Sequence, residues 1–523
     1  MRHRRTPTYA FLALSRQQHR AEVERISLAV RNFHKTQQRF RIYHGSTSST
    51  RRPVDGTSTN TIDTSALNNI LEIDGVNKVA VVEANAPMDA LLEATLDLNL
   101  MPLVVTEFPG ITVGGAFSGT AGESSSFKHS FFDQTVSKIE MVMADGEVVN
   151  CSEAKNKEVF RGAPGALGTL GVVTLLYVRL QPAAKWVEVT YHPFESVEGA
   201  LRMFRRFWKD EGVDYLDGVM FSPTKGAVVT GQLCDVKPEG LPVQRFSRAK
   251  DPWYYMHVEE CISSGGSEPH RELVPLPDYL FRYNRGCFWC GKSMFDLTGL
   301  PFTKGTPQWL EFMLRTRMLY KALHAQDPNT LMVILDLALP FSAAEEFVNW
   351  QAERLDIWPL WLCPLRIGAM STLHPHPLRT EDKEDEMMLN VGLYGVSPRD
   401  YEEWVSANLD LESKVTELGG MKWAYAAQLY SRDMFWQQYD KKWYDNSREK
   451  CHATSLPDVY EKTSVDYEAG RKMTKESKEY WDGTMFPAIA QLRQSLWLVR
   501  EALKSKAWRL ERRDVWKDWP EKR

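Results

Sequence analysis

PGITVGGAFSGTAGESSSFKHSFFD at residues 109–133 and PGALGTLGVV at residues 164–173 decide how this chain folds. Between them runs IEMVMADGEVV, residues 139–149. The first stretch sets a Gly-Gly pair with small neighbours after a proline. The middle one is an apolar run ending in Asp145-Gly146, and the last leads a second glycine-rich segment straight into β-branched residues. Backbone without Cβ atoms, flanked by hydroxyls, brings several N–H groups against a phosphate. Apolar runs bounded by Asp-Gly and glycine read as strands. Together they point to a nucleotide cofactor held mainly by loops. The pattern is not a Rossmann fingerprint, because VGGAFSGTAG is not GxGxxG closing a βαβ unit with an acidic residue about 20 positions on.

Upstream, Val23, Ile26, Val30 and Phe33 recur at helical spacing within residues 17–40. FRIYHGSTSSTRRP (40–53) then reads as a short strand entering a Ser/Thr loop. Residues 70–74 and 78–84 read as strands, 87–100 as a helix opening at Pro87, and LMPLVV as another strand. The mixture predicts an α+β domain over 1–182. From 183 the texture changes: WVEVTYHPF reads as a strand, 195–210 as a helix and 218–233 as a hairpin. WPLWLCPL (358–365) and MMLNVGLYGV (387–396) read as strands, so 183–463 forms a second domain. The tail, 464–523, carries Leu492, Leu496, Val499, Leu503, Ala507 and Leu510 as an amphipathic stripe with a mostly basic opposite face. It reads either as a helix docked on the protein or as a helix lying in a membrane interface.

The 523 residues exceed one small domain, and an apolar share of 43% supplies a sizeable core. A net charge of −4 with no basic domain argues against a nucleic-acid partner. The seven cysteines, an odd number irregularly spaced, suit reduced thiols. Cys287 and Cys290 form a CxxC with no second pair, so no metal site is expected. No run of about 20 apolar residues predicts a membrane span, and the apolar piece within residues 1–15 is too short for a secretory signal.

TVGG (112–115), GTxxESSS (119–126) with Lys128, MADG (143–146) and GTLG (168–171) resemble, in order and spacing, the FAD-binding domain of the p-cresol methylhydroxylase type. Within that superfamily they most resemble the 24-dehydrocholesterol reductase family. FW (288–289), WLCP (361–364) and RDMFWQQYD (432–440) extend the resemblance over roughly residues 20–463. It implies a two-part FAD-binding domain and a substrate domain built as an antiparallel sheet with helices on one face. It also implies a reaction: NADPH reduces FAD, and reduced FAD saturates the C24–C25 double bond of a sterol or similar prenyl-tailed side chain. Family members often carry an N-terminal membrane segment that residues 1–15 do not supply. The expected location is therefore the endoplasmic reticulum surface or the cytoplasm, with peripheral membrane contact and no secretion.

The resemblance assigns cofactor contacts to His44, Gly45, Ser46, Thr47 and Ser48 in the first loop. It assigns Thr112, Val113, Gly114, Gly115, Gly119, Thr120, Ser124, Ser125 and Ser126 in the second, and Gly168, Gly171 and Val172 in the third. Some superfamily members attach FAD through a histidine just after the first-loop glycine; Ser46, Thr47 and Ser48 stand there, so non-covalent FAD is expected. An isolated alkene has no carbonyl to activate it, so a positioned proton donor on a water-poor face is required. Candidates are Glu123, Lys128, Tyr430 and Arg432. Glu123 would serve only with a pKa raised by burial, the alternative being a pair with Lys128. His129 reads as a proton shuttle or as neutral packing. Aromatic walls suit charge developing at a tertiary carbon, and Phe281, Tyr283, Phe288, Trp289, Trp358, Trp361, Tyr425, Tyr430 and Trp436 are the candidates. Two other readings stand beside the reductase: an oxidase on the same scaffold using O2, and a catalytically inactive binding protein.

Overall fold

The computed structural model describes residues 9–45, 60–264, 268–298, 301–303, 305–325, 332–367, 373–374, 387–396, 401–472, 500, 504 and 519–520. Ser46, Thr47 and Ser48, and nearly all of the 492–510 stripe, lie outside them.

The stripe Val23, Ile26, Val30 and Phe33 is buried along helix Tyr9–Lys35. It packs on a sheet ordered Ile70–Asp74, Val79–Glu83, Gly171–Pro182, Val136–Met143 and Val148–Ser152, with Leu100–Pro102 pairing the long third strand. Burial of such side chains contributes roughly 1.5–3 kcal/mol each. Helix Met88–Leu96 stops short of the expected residue 100 because Asn99 takes a left-handed φ of 54° and turns the chain into Leu100–Pro102. The Asp145-Gly146 hairpin is compulsory: Gly146 has φ +88°, and a Cβ there would stand 2.7 Å from the Ser27 carbonyl oxygen.

His19 ties the same helix to the sheet. Its Nδ1 is 2.8 Å from Glu83 and its Nε2 3.0 Å from Glu140. Burial opposes the ring's charge, but hydrogen bonds to Glu140 and Glu83 outweigh it and hold its pKa up at about 9. A raised histidine stabilises the fold fully below its ordinary pKa of 6.5, and the contribution is lost as pH rises through about 9. The unfolding free energy from urea titrations on either side of that window is expected to fall by on the order of 3 kcal/mol, and His19→Gln to flatten the fall.

The second sheet is antiparallel throughout. In space it runs His270–Pro275, Trp186–Phe194, Lys225–Cys234, Tyr215–Ser222, Leu360–Arg366, Met387–Val396, Met332–Pro340 and Met421–Lys422. Alternation sends Leu216, Met220, Val228 and Leu337 to one face, under helices Val197–Trp208, Ala344–Arg354 and Tyr401–Glu417. Tyr215, Val219, Ala227 and Val229 face the other way and join Ala84, Met88, Phe108, Val113 and Phe117 in one core shared with the first domain. Helices Tyr254–Ser264 and Cys290–Thr298 also pack on this side. The chain then returns: Tyr430, Phe435, Tyr444, Leu456 and Val459 pack with Val23, Ile26, Val30 and Val142. Of the tail, the Trp519 indole N–H donates to the Lys185 carbonyl at 2.9 Å.

Candidate active site between the two domains

The glycine segments meet at the domain boundary. Thr112 caps the short helix Val113–Ser118, its hydroxyl accepting from the Gly115 N–H at 3.1 Å. The Gly114 N–H donates to the Ala84 carbonyl at 2.7 Å, so this glycine serves close backbone contact. Gly115 is exposed. The second and third segments join where the Gly165 N–H donates to the Ser118 carbonyl at 3.1 Å. Gly165 has φ +73°, and a Cβ there would stand 2.4 Å from the Leu373 carbonyl oxygen. Between the segments lies a small cavity lined by Ser118, Gly119, Thr120, Gly165, Leu167, Leu373, Lys422, Ala424 and Tyr439. Its second-domain wall is pinned by the Trp423 indole N–H, which donates to the Thr120 carbonyl at 3.0 Å.

Other assigned cofactor residues have local partners. Ser125 donates to the Leu103 carbonyl at 3.1 Å, and the Ser126 hydroxyl accepts from the Glu123 N–H at 2.9 Å. Gly45 (φ +72°) and His44 follow strand Arg41–Tyr43, and Gly168 (φ +76°) lies beside Ile42 and the Lys462 amine. Gly171 allows strand pairing, since a Cβ would meet the Val142 carbonyl at 2.6 Å. Val172 is buried in the core.

Behind the second glycine segment lies a buried ionic cluster. Arg282 donates to Asp217 at 2.9 Å, to the Ser124 hydroxyl at 3.2 Å and to the Tyr279 carbonyl at 2.9 Å. Its guanidinium lies over the Tyr279 ring at 4.1 Å. The same Asp217 oxygen accepts from Tyr283 and from the Trp361 indole, each at 3.0 Å. Glu123 Oε1 stands 3.8 Å from Arg282 and accepts no hydrogen bond among the described residues. Burial pushes the Glu123 carboxyl up to about 7, Asp217 adding to the rise and Arg282 opposing it. Glu107, half-buried, is pushed well above the carboxylate range by burial and by Glu123. Asp336, raised by burial, accepts from Asn390 (2.9 Å), Tyr394 (2.7 Å) and Tyr425 (2.7 Å). An apolar wall adjoins these acids. Tyr283 stacks on Phe288 at 4.0 Å, and Phe288 lies 5.2 Å from Trp361, 4.8 Å from Tyr394 and 5.7 Å from Phe108.

Of the four candidate acids, the structure brings only Glu123 into this cluster. Lys128 is exposed and pairs with Asp214 at 2.9 Å. Arg432 pairs with Asp458 at the surface. Tyr430 is buried in the core of the returning segment. Burial and Lys128 push His129 down to about 4, so it packs neutral at physiological pH. Trp358 and Trp436 lie in other clusters.

Residues 20–152 match the family model described as an FAD binding domain. Over 407 residues, 76% of each chain, this protein is 26% identical to the delta(24)-sterol reductase of Homo sapiens. Over 467 residues, 82% of this chain and 80% of the other, it is 27% identical to that of Arabidopsis thaliana. Over three quarters or more of its length the chain is similar to delta(24)-sterol reductases of animals and plants. It is an FAD-dependent oxidoreductase. Cytokinin dehydrogenase 1 of Arabidopsis thaliana is 34% identical, but over only 131 residues, 24% of this chain. The likeness to the delta(24)-sterol reductases thus runs through the second domain, whereas the likeness to the dehydrogenase covers a stretch the length of the flavin-binding match.

The glycine segments that would hold the flavin face a cavity at the domain boundary. Ser118, Gly119, Thr120 and Gly165 line its glycine side with backbone and two hydroxyls, and Leu167, Leu373, Lys422, Ala424 and Tyr439 complete the lining. No helix among the described residues is long and apolar enough to cross a membrane. Glu107, Asp217, Arg282 and Asp336 went unsingled in the sequence. Each is one polar residue inside or beside an apolar stretch, and a charge at an intended core position is the only local signal they carry.

Proposed function

We propose that this protein reduces the C24–C25 double bond of a sterol or a similar prenyl-tailed molecule, with non-covalently bound FAD and with NADPH as electron donor. The observation that carries this reading is the apposition of a buried carboxyl, Glu123, to an aromatic wall. FAD, when bound, would supply the hydride. The chain's residues would supply the proton and the dry surface. Glu107 and Glu123 repel each other's charge and are both desolvated, so the pair retains a proton near neutral pH. Phe288, Tyr283, Trp361 and Phe108 exclude water from the alkene and offer ring faces to a carbon gaining positive charge. Arg282, buried and paired with Asp217, tempers the rise of the Glu123 pKa without bringing in solvent. A sterol is consistent with work at the surface of the endoplasmic reticulum membrane.

The test is anaerobic. The flavin-loaded chain is expected to bleach with NADPH and to recover its absorbance on addition of desmosterol, with a product heavier by two hydrogens. Flavin that ignores both, yet turns over with O2 and an alcohol, refutes the proposal in favour of an oxidase. A chain that retains no flavin refutes it in favour of a binding protein.

A further inference from the structure

Near the edge of the second sheet, on the face that joins the core shared with the first domain, helix Tyr254–Ser264 carries His257 and Cys261 four residues apart, on one face. The edge strand His270–Pro275 carries His270 and Glu272 two residues apart, also on one face. The two faces meet. His257 Nε2 stands 3.4 Å from Cys261 Sγ and 3.0 Å from both carboxylate oxygens of Glu272. His270 Nε2 is 3.5 Å from Glu272 Oε2. One ligand atom from each of His257, Cys261 and His270 lies within 4.8 Å of the other two.

The hydrogen bonds of this arrangement bring soft and hard donor atoms to one point. A ring nitrogen carries at most one hydrogen, yet a sulfur and two carboxylate oxygens converge on His257 Nε2. A cation among the same atoms satisfies all of them. Two ligand atoms bound tetrahedrally to one zinc ion stand about 3.3–3.8 Å apart; the His257–Cys261 and His270–Glu272 separations of 3.4 and 3.5 Å fall in that range, and the His257–Glu272 separations of 3.0 Å must widen by a few tenths of an ångström to admit the ion. The surroundings already hold the ligands. Tyr191 donates its hydroxyl to Glu272 at 2.7 Å. The His257 ring packs edge-on against Phe246 at 5.4 Å and Tyr191 at 5.9 Å. Outer partners of this kind orient metal ligands. The His270 side chain, 39% exposed, gives an ion its way in, while Glu272 is 3% exposed.

We propose that His257, Cys261, His270 and Glu272 bind one divalent transition-metal ion of the zinc class. The imidazole and thiol donors exclude magnesium and calcium, which take oxygen ligands. Four protein ligands leave no open position, so the ion is structural. It staples the helix to the outermost strand of the sheet. The first turn of that helix supports the flavin-side cluster, for Tyr254 packs edge-on against Tyr283 at 5.0 Å and lies under Arg282 at 5.3 Å. Binding replaces the Cys261 thiol proton with the metal–sulfur bond and releases that proton to solvent.

The experiment uses the full flavin-loaded chain, stripped with a chelator and titrated with Co2+ and then Zn2+. One equivalent of Co2+ is expected to give a near-ultraviolet thiolate-to-cobalt band that Zn2+ displaces, and Zn2+ is expected to raise the melting temperature. Cys261→Ser abolishes the band. His270→Ala, at the exposed side of the site where folding is least at stake, weakens binding about tenfold or more, and Cys290→Ser changes neither. Absence of a stoichiometric band in the wild type, or a band that survives Cys261→Ser, overturns the proposal.

Discussion

Glu123→Gln is expected to slow reduction of the alkene about a hundredfold or more while flavin stays bound and the donor still reduces it. That magnitude is the usual contribution of a positioned general acid. The glutamine preserves shape and acceptor oxygen but carries no transferable proton. In the wild type, a group raised from 4.5 to about 7 is protonated below that pH, so the rate of flavin reoxidation falls as pH rises through about 7. Removing the Asp217 charge, which raises the Glu123 pKa, moves that fall to lower pH. Stability responds in the opposite sense. A carboxyl whose folded pKa is raised costs stability above its unfolded pKa, so Glu123→Gln is expected to melt higher than the wild type in mildly alkaline buffer. Stopped-flow reoxidation by sterol against pH, with melting curves beside it, checks both. An unchanged rate and profile in the variant would remove Glu123 from the mechanism and leave Glu107 as the acid.

The second large effect is on the fold. Asp217→Asn leaves the fully buried Arg282 with Glu123, 3.8 Å away, as its one ion-pair partner among the described residues. Breaking a buried pair by removing one partner costs about 3–5 kcal/mol, and the urea midpoint is expected to drop accordingly. The double variant Asp217→Leu/Arg282→Met is expected to lose less than the single one, because no charge is then stranded. Equal or additive losses in the two variants would contradict this account of the cluster.

Periodicity made the scaffold legible. The stripe from Val23 to Phe33, the Asp145-Gly146 hairpin and strands such as Trp186–Phe194 and Met387–Val396 each carry their fold in adjacent residues. The site was legible only where it is local. The glycine segments and Glu123 sit within one stretch, whereas Arg282, Asp217 and Asp336 reach it from three distant elements. The candidates Lys128 and Arg432 were chosen for residue type within a pattern, and exposure with an ion-pair partner is what the structure provides for both. The cysteine reading fared similarly. CxxC spacing draws attention to Cys287 and Cys290, while Cys261 acquires its imidazole neighbours from a helix turn and a separate strand.

The returning segment has a consequence for synthesis on the ribosome. Tyr430, Phe435, Tyr444, Leu456 and Val459 complete the apolar layer beneath the first helix. The N-terminal flavin-binding domain therefore emerges with that layer uncovered and holds it open until some 250 further residues have been translated. Chain order and folding order are inverted: the domain made first is finished last, and a message truncated before residue 430 yields a polypeptide with an exposed greasy seam and every reason to be captured by chaperones.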